Sequence, residues 1–341
     1  MTTIKDVAAA AGVSFSTVSH VLNNSRPVSP EARSSVEAAI RQLNYVPSGV
    51  ARSLKVRATS TVGLLIPNGI NPYFAELARG VEDFYERNGY CVILCNSDDD
   101  LEKQSNYLRV LLEKRIDGLV IASAGGDRDL ADTLGHLNIP VVIVDRDVAG
   151  VSADTVQIDH EAGARLAANH LIELGHRKIA CISGPAAVGV SVQRIRGFRR
   201  ALEEAGIAVR SDWIVEGDFS SPGGYGAAQL LLKDPPTAIF AGNDMMGLGV
   251  LRALAERGLK VPDDVAVIGF DNVELGQFFY PALSTVGHSV RQIGEIAARA
   301  LLQRMSGEEK ARPRRLTIAP ALFMRESTGL CRSTRKANDA A

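Results

Sequence analysis

From residue 4 onward, apolar positions recur at helical spacing. Ile4, Val7, Ala8 and Ala11 fall at i, i+3, i+4 and i+7, which predicts a one-sided helix followed by a turn at Gly12. Val18, Val21 and Leu22 form the inward face of a second helix, and Val36, Ile40 and Leu43 that of a third. Thr3 and Ser14 are placed to cap the first two by accepting N–H groups that have no partner inside a first turn. The third opens at Ser29. Pro30 takes the first helical position, where no N–H is needed, and Glu31 lies in the first turn, where the helix dipole favours an acid. Two short helices joined through a glycine turn make a helix-turn-helix unit.

Beyond Ser60 the period changes. The runs TVGLLIP, CVILCNS, DGLVIAS, PVVIVD, KIACISG, WIVEGDF, TAIFAGN, VAVIGFD and LSTVGHS alternate with amphipathic stretches such as YFAELARGVEDFYERNG and VLRALAERG. Near-continuous apolar strands predict parallel sheets covered by helices on both faces. There are too many strands for one such sheet. The expected body is therefore two doubly wound parallel-sheet α/β lobes, divided near Asp159 and His160, with return crossings at HSVRQIG and IAPALFM. The chain then divides into an all-α head (1–46), a hinge segment (47–59), one lobe (60–160 with 290–319), a second lobe (161–289 with 320–329) and a polar tail (330–341).

Composition narrows the function. With 341 residues, 46% hydrophobic and 23% charged, the chain has the make-up of an ordinary globular protein. Its net charge of −1 conceals an asymmetry: residues 1–58 carry seven Lys/Arg against three acids, and the remainder 31 against 36. A basic head on an acidic body predicts that the head alone meets a polyanion. Cys91, Cys95, Cys181 and Cys331 fit neither a disulfide framework nor a CxxC site, and Cys91 and Cys95 read as buried small residues of a strand. No apolar signal core opens the chain and no run approaches the ~20 residues of a membrane span, so a cytoplasmic protein with no membrane partner is expected. No phosphate loop, GxGxxG fingerprint, nucleophile elbow or metal-ligand spacing is present, so neither an enzyme nor a cofactor is expected.

The outward side of the second helix carries Phe15, Ser16, Thr17 and His20 instead of Lys and Glu. Hydroxyls donate or accept at base edges, and a phenyl ring fits a thymine methyl. The stretch IKDVAAAAGVSFSTVSHVLNN, followed by VARSLK and a sugar-binding-type body, resembles the lactose-repressor/galactose-repressor family of bacterial transcription regulators, nearest in look to its ribose and purine repressors. The likeness runs from about residue 2 to about residue 328. It implies a homodimer whose two heads read half-sites of palindromic operator DNA in the major groove, with Phe15, Ser16, Thr17 and His20 facing the bases, and a body like the periplasmic sugar-binding proteins. Phe15 is bulkier than the small polar residue some relatives carry there.

Between head and body lies GVARSLKVRA, residues 49–58, with one large apolar residue among cations. It is too short, and too disfavoured by Gly49, to hold a helix alone. Paired with its dimer mate on DNA, it is expected to form one. Arg52, Lys55 and Arg57 would meet phosphates or the minor groove, and Leu54 would wedge into the central base step. The family resemblance implies the same role for Leu54.

In doubly wound folds ligands sit beyond the carboxyl ends of the strands. The polar and aromatic residues there are Asn71, Tyr73 and Phe74, then Ser123, Asp145 with Arg146, Phe219, Asn243 with Asp244, Asp271 and His288, while Arg194 belongs to the helix after ISGPAAVG. Asp244 also reads as a helix cap, and Asn71 as an organiser of the turn before Pro72. Carboxylates, an amide, guanidinium groups and flat rings suit a polyol, whereas a purine asks for stacking rings and fewer charges. Phe74, Asp145, Arg146, Arg194, Asn243 and Asp271 resemble the arrangement in ribose-binding proteins. Purine-responsive relatives have an aromatic residue where Arg146 stands, and His288 departs from the amide usual in ribose binders. The expected effector is a small sugar, ribose or another pentose, with a purine or a hexose as the alternative, and its binding is expected to close the lobes and change DNA affinity.

Overall fold

The computed structural model describes residues 2–46, 58–122, 131, 134–135, 137–145, 151–308 and 312–331. They form two compact units, divided between Thr59 and Ser60. The hinge residues Arg52, Leu54, Lys55 and Arg57, the cleft candidates Ser123 and Arg146, and the tail beyond Cys331 lie outside the described residues.

The head is three helices, α1 (Ile4–Ala11), α2 (Phe15–Asn23) and α3 (Pro30–Gln42). Val7, Ala8, Val18, Val21, Val36 and Ala39 make its core; all but Ala39 are positions expected from the periodicity, and the other expected positions, Ile4, Ala11, Leu22, Ile40 and Leu43, pack partly buried against it. Thr3 and Asp6 complete a reciprocal capping box, and Ser14 and Ser29 accept from the N–H of Thr17 and of Ala32. Gly12 turns the chain at φ +66°, a conformation that costs glycine nothing.

In the body, β1 (Thr61–Ile66), β2 (Cys91–Asn96), β3 (Gly118–Ile121), β4 (Val141–Val144), β5 (Asp154–Ile158) and β11 (Arg315–Ile318) form one sheet in the order β11-β5-β4-β3-β1-β2, with every pair parallel. A second sheet is ordered β12-β10-β9-β8-β6-β7, from β6 (Ile179–Ser183), β7 (Ile214–Glu216), β8 (Ala238–Ala241), β9 (Ala266–Asp271), β10 (Ser284–Gly287) and β12 (Ala321–Phe323). Its pairs are parallel except for β10 with β12. The chain passes between the sheets after β5, after β10 and again between β11 and β12. Strand order reverses at β1/β3 and at β6/β8, and loops leaving opposite faces of a sheet at such a point open a crevice.

Three strands escaped the apolar-run criterion, β5, β11 and β12, the last lying in a stretch expected only as a crossing. β5 opens on Asp154, which is buried and held by Arg304 (2.6 Å) and Arg314 (2.7 Å). β11 lies at a sheet edge and alternates exposed with half-buried residues. Two further expectations are corrected. Cys91 is exposed because β2 is an edge strand, although Cys95 on it is buried. Trp213 precedes β7 in a 3-10 turn.

The covering helices are α4 (Pro72–Arg87), α5 (Leu101–Glu113), α6 (His160–Glu173), α7 (Gly189–Glu204), α8 (Ser221–Leu231), α9 (Asp244–Glu256) and α10 (Val290–Met305). Six of the seven, all but α5, pack in pairs at glycines. A Cβ on Gly80 of α4 would stand 2.0 Å from the Arg291 carbonyl oxygen of α10, and one on Gly197 of α7 would stand 2.1 Å from that of Glu161 in α6. Backbone cannot yield there as a flexible side chain would. Gly80→Ala should therefore force α4 and α10 apart and cost about 2 kcal/mol, within the range for overpacked interiors. A lowered urea midpoint with an unchanged slope would register it.

Candidate functional site

On the head, Phe15 and Ser16 of α2 are exposed and Thr17 and His20 partly so, on the side opposite the buried Val18 and Val21. The hydroxyls of Ser16 and Thr17 each lie 2.8 Å from Ser14 Oγ, so both are held near the helix start. His20 Nδ1 lies 2.9 Å from Ser25 Oγ, which orients the ring with Nε2 as its remaining polar atom. Phe15 brings a flat apolar face to the same end of the helix. These four side chains form a continuous surface of rotatable hydroxyls, one imidazole edge and one phenyl ring, able to meet base edges and a thymine methyl.

In the body, a subset of the strand-end residues comes together. Tyr73, near the start of α4, donates its hydroxyl to Asp145 Oδ2 at 2.9 Å, and the Phe74 ring stands edge-on to Tyr73. Asp145, after β4, also meets His160 Nε2 at 2.8 Å. Arg194, in the second turn of α7, donates to the Gly242 carbonyl after β8 and to Asp271 Oδ1 at 2.9 Å, and it points Nε and an Nη at His160 Nδ1. Its guanidinium lies over the Phe270 ring, 3.9 Å from the centroid. Since Nδ1 faces these donors it is the acceptor, and Nε2 carries the proton given to Asp145. A hydrogen-bonded chain thus runs Tyr73, Asp145, His160, Arg194, Asp271.

The backbone marks the same places. Asp145 (φ +60°), Phe219 (+64°) and Asp271 (+104°) hold conformations that side chains rarely adopt, at the ends of three different strands. Such conformations persist where the surroundings over-determine them, and they cluster at ligand clamps. The tip of the Phe219 ring reaches the loop after β6 because Gly184 there has no Cβ; one would stand 2.0 Å from it.

Electrostatics separates the two carboxylates. Burial pushes Asp145 up, but His160, Arg194 and the Tyr73 hydroxyl outweigh it and hold the carboxyl at about 2. Burial pushes Asp271 up as well, and there Arg194 does not compensate, with the Asp145 charge adding to the rise, so the group titrates at about 7. Asp244, also raised by burial and by the charge of Asp271, accepts from the Val273 N–H and the Thr285 hydroxyl.

Other candidates fall differently. Asn243 caps α9 through Oδ1 and donates to the Phe219 carbonyl, so the expectation that Asp244 caps this helix is corrected. Asn71 caps α4, in keeping with its reading as a turn organiser. His288, half-buried after β10, joins none of these hydrogen bonds among the described residues. His160 is a residue that the strand-end reading missed: it stands at the carboxyl end of β5, and β5 itself is hidden in the sequence by its buried acid. Glu76 of α4, likewise unforeseen, accepts the Glu274 N–H at 2.8 Å. Beside the network, a hollow of about 600 Å³ is lined by Gln157, Asp159, Gly189, Gln193, Arg196 and Thr317, among others.

A helix-turn-helix head on a two-lobed body with a polar cleft defines a ligand-responsive DNA-binding regulator. Residues 3–48 match the bacterial regulatory proteins of the lacI family, and residues 168–328 match the periplasmic binding protein-like domain. The chain is 42% identical over 330 residues to the HTH-type transcriptional repressor PurR of Photobacterium profundum, covering 96% of this chain and 98% of that one. Among solved structures it resembles the Lac repressor dimer bound to operator and the anti-inducer ONPF (TM-score 0.87, 29% identity, 96% and 99% covered). It also resembles a LacI family regulator from Enterococcus faecium with bound ribose (TM-score 0.71, 32% identity, 79% and 98% covered). The chain belongs to the lacI family, and it is a DNA-binding transcriptional repressor rather than an enzyme. Among the described residues no helix is long and apolar enough to cross a membrane, and no group of His, Cys, Asp and Glu is placed to hold a metal.

The sign of one pH effect follows. Asp271 is raised from 3.8 to about 7 on folding, so its contribution to stability is complete below pH 3.8 and is lost as pH rises through 7. Asp271→Asn does not titrate. Between pH 4 and pH 7, wild type should lose stability relative to this variant, read from urea unfolding at each pH; a constant difference would contradict the assignment.

Proposed function

We propose that operator affinity is set by a small uncharged effector held between the lobes by Tyr73, Phe74, Arg194, Phe219 and Asp271, with Asp145 bracing them. Asn243, Ser123, Arg146 and His288 belong to the same proposed site. One observation carries this reading: side chains from distant parts of the chain converge beyond the strand ends where the backbone is strained at Asp145, Phe219 and Asp271.

The PurR relatives favour the purine-responsive alternative over the ribose expectation. The geometry supports that choice. Charges expected to await sugar hydroxyls are largely spent on one another, Asp145 on His160 and Tyr73, and Arg194 on Asp271, His160 and Gly242. The partly exposed rings of Phe74 and Phe219 are left as apolar faces suited to a flat heterocycle. A pentose remains the second reading, favoured by the ribose bound to the Enterococcus faecium regulator.

The working form is a cytoplasmic homodimer on palindromic operator DNA. Phe15, Ser16, Thr17 and His20 read bases, Arg52 and Lys55 meet the backbone, and Leu54 wedges into the centre of the site. A purine would act as corepressor and tighten operator binding, whereas a pentose would release it. Coupling of this kind amounts to about 1–3 kcal/mol, roughly 5- to 150-fold in affinity.

Calorimetric titration with hypoxanthine, adenine, D-ribose and D-glucose, followed by operator binding with and without each ligand, separates these readings. Tighter operator binding with a purine supports the first, and release by a pentose supports the second. Silence from all four would remove the cleft as an effector site. Asp271→Ala should keep ligand-free operator affinity and lose the response; a normal response would take Asp271 out of the site. Leu54→Ala should weaken specific operator binding and reduce DNA bending, seen by gel mobility, while effector affinity stays at the wild-type value.

A further inference from the structure

Four successive residues from the end of β9 are each tied to a different partner. Asp271 is held through its carboxylate by Arg194 of α7 (2.9 Å), Asn272 through its amide oxygen by Arg325 (2.7 Å), and Val273 through its N–H by Asp244 of α9 (2.9 Å). Those three anchors belong to the same lobe. The fourth does not: the Glu274 N–H donates to Glu76 Oε1 at 2.8 Å, and Glu76 lies on α4, which packs against the other sheet. Asp271 and Asn272 hold positive φ (+104° and +57°) in this same turn, so the direction of the Glu274 N–H is set within its own lobe.

Glu76 is placed beside the cleft. It stands three residues after Tyr73, and side chains at that spacing share one helix face, which Tyr73 turns toward Asp145. The Glu76 charge also reaches Asp271, where it adds to the rise of that carboxyl. The chain passes between the lobes after β5, after β10 and between β11 and β12, and neither Glu76 nor Glu274 lies in those passages. Their bond is therefore a lobe-to-lobe contact that the crossings do not impose. Val273, which precedes the 3-10 turn Glu274–Phe278, offers no side-chain acceptor, so the first N–H of that turn is satisfied from the opposite lobe.

A carboxylate at this point works against its own charge. Burial raises the Glu76 carboxyl and the charge of Glu274 adds to the rise, while the hydrogen bond from the Glu274 N–H opposes them. What favours the contact is the acceptor oxygen.

We infer that Glu76 is a latch between the lobes: its Oε1 accepts the Glu274 N–H whenever they are closed, with or without an effector between them, and lets it go to water when they part. The inference rests on the effector reading above and adds to it a positioning residue that touches no ligand. A bond made only in the closed form enlarges the fraction of molecules able to hold an effector, and apparent affinity rises with that fraction.

Two variants of the full chain test the latch. Glu76→Ala removes the acceptor, and affinity for whichever of hypoxanthine and D-ribose binds wild type should fall roughly tenfold, as for a lost hydrogen bond to a charged group. Glu76→Gln keeps an acceptor oxygen and sheds the charge, so it should bind at least as tightly as wild type. Amide hydrogen exchange without ligand should show the Glu274 N–H exchanging faster in Glu76→Ala and at the wild-type rate in Glu76→Gln. Effector affinity of Glu76→Ala within about twofold of wild type would overturn the inference. So would a Glu76→Gln as weak as Glu76→Ala, which would make the carboxylate a ligand contact instead of a latch. If wild type binds neither probe, the effector reading falls and exchange alone judges the contact: equal rates in wild type and Glu76→Ala would mean that the lobes are not joined there.

Discussion

The burial of one guanidinium organises the cleft. Arg194 is 5% exposed, and removing such a group from water costs several kcal/mol unless its donors are matched. The matches come from different parts of the chain: the Gly242 carbonyl after β8, Asp271 at the end of β9, and His160 at the start of α6, with the Phe270 ring beneath. A single planar fork of donors therefore fixes where two strands end and where one helix begins. His160 passes the constraint on to Asp145 in the other sheet's connections, so both lobes are referenced to the same group.

That arrangement gives the site two carboxylates of opposite character within one network. Asp145, with three donors or positive neighbours, stays ionised, whereas Asp271 shares its one guanidinium and feels the charge of Asp145. The positive φ at both residues shows backbone held away from its preferred basins by this hydrogen bonding. A network that binds its own charges presents a ligand mostly with rings and with the few polar atoms left over. The residue types taken singly read as free charges, and only their assembly shows them paired with one another.

The helices that carry these groups are positioned by glycine. Where α4 meets α10 and α6 meets α7, carbonyl oxygens approach to a distance that no Cβ allows. Close packing of this kind has few alternative arrangements, so each of these helix pairs is held in one relative position.

The sequence by itself determined the helices of the head, the apolar strands, the two-lobed α/β body, and the cleft positions of Tyr73, Asp145, Arg194 and Asp271. Those features follow from local periodicity, capping chemistry and the strand-end rule, which act over a few residues or a single turn. Only the tertiary structure revealed β5, because Asp154 reads as a loop residue until Arg304 and Arg314 neutralise it from more than a hundred residues away. With β5 came His160 at its end. It likewise decided that Asn243 caps α9 and that Asp271 and Arg194 occupy each other. Pairing and desolvation depend on which distant groups meet, and that is settled by the packing of the whole chain rather than by any stretch of it.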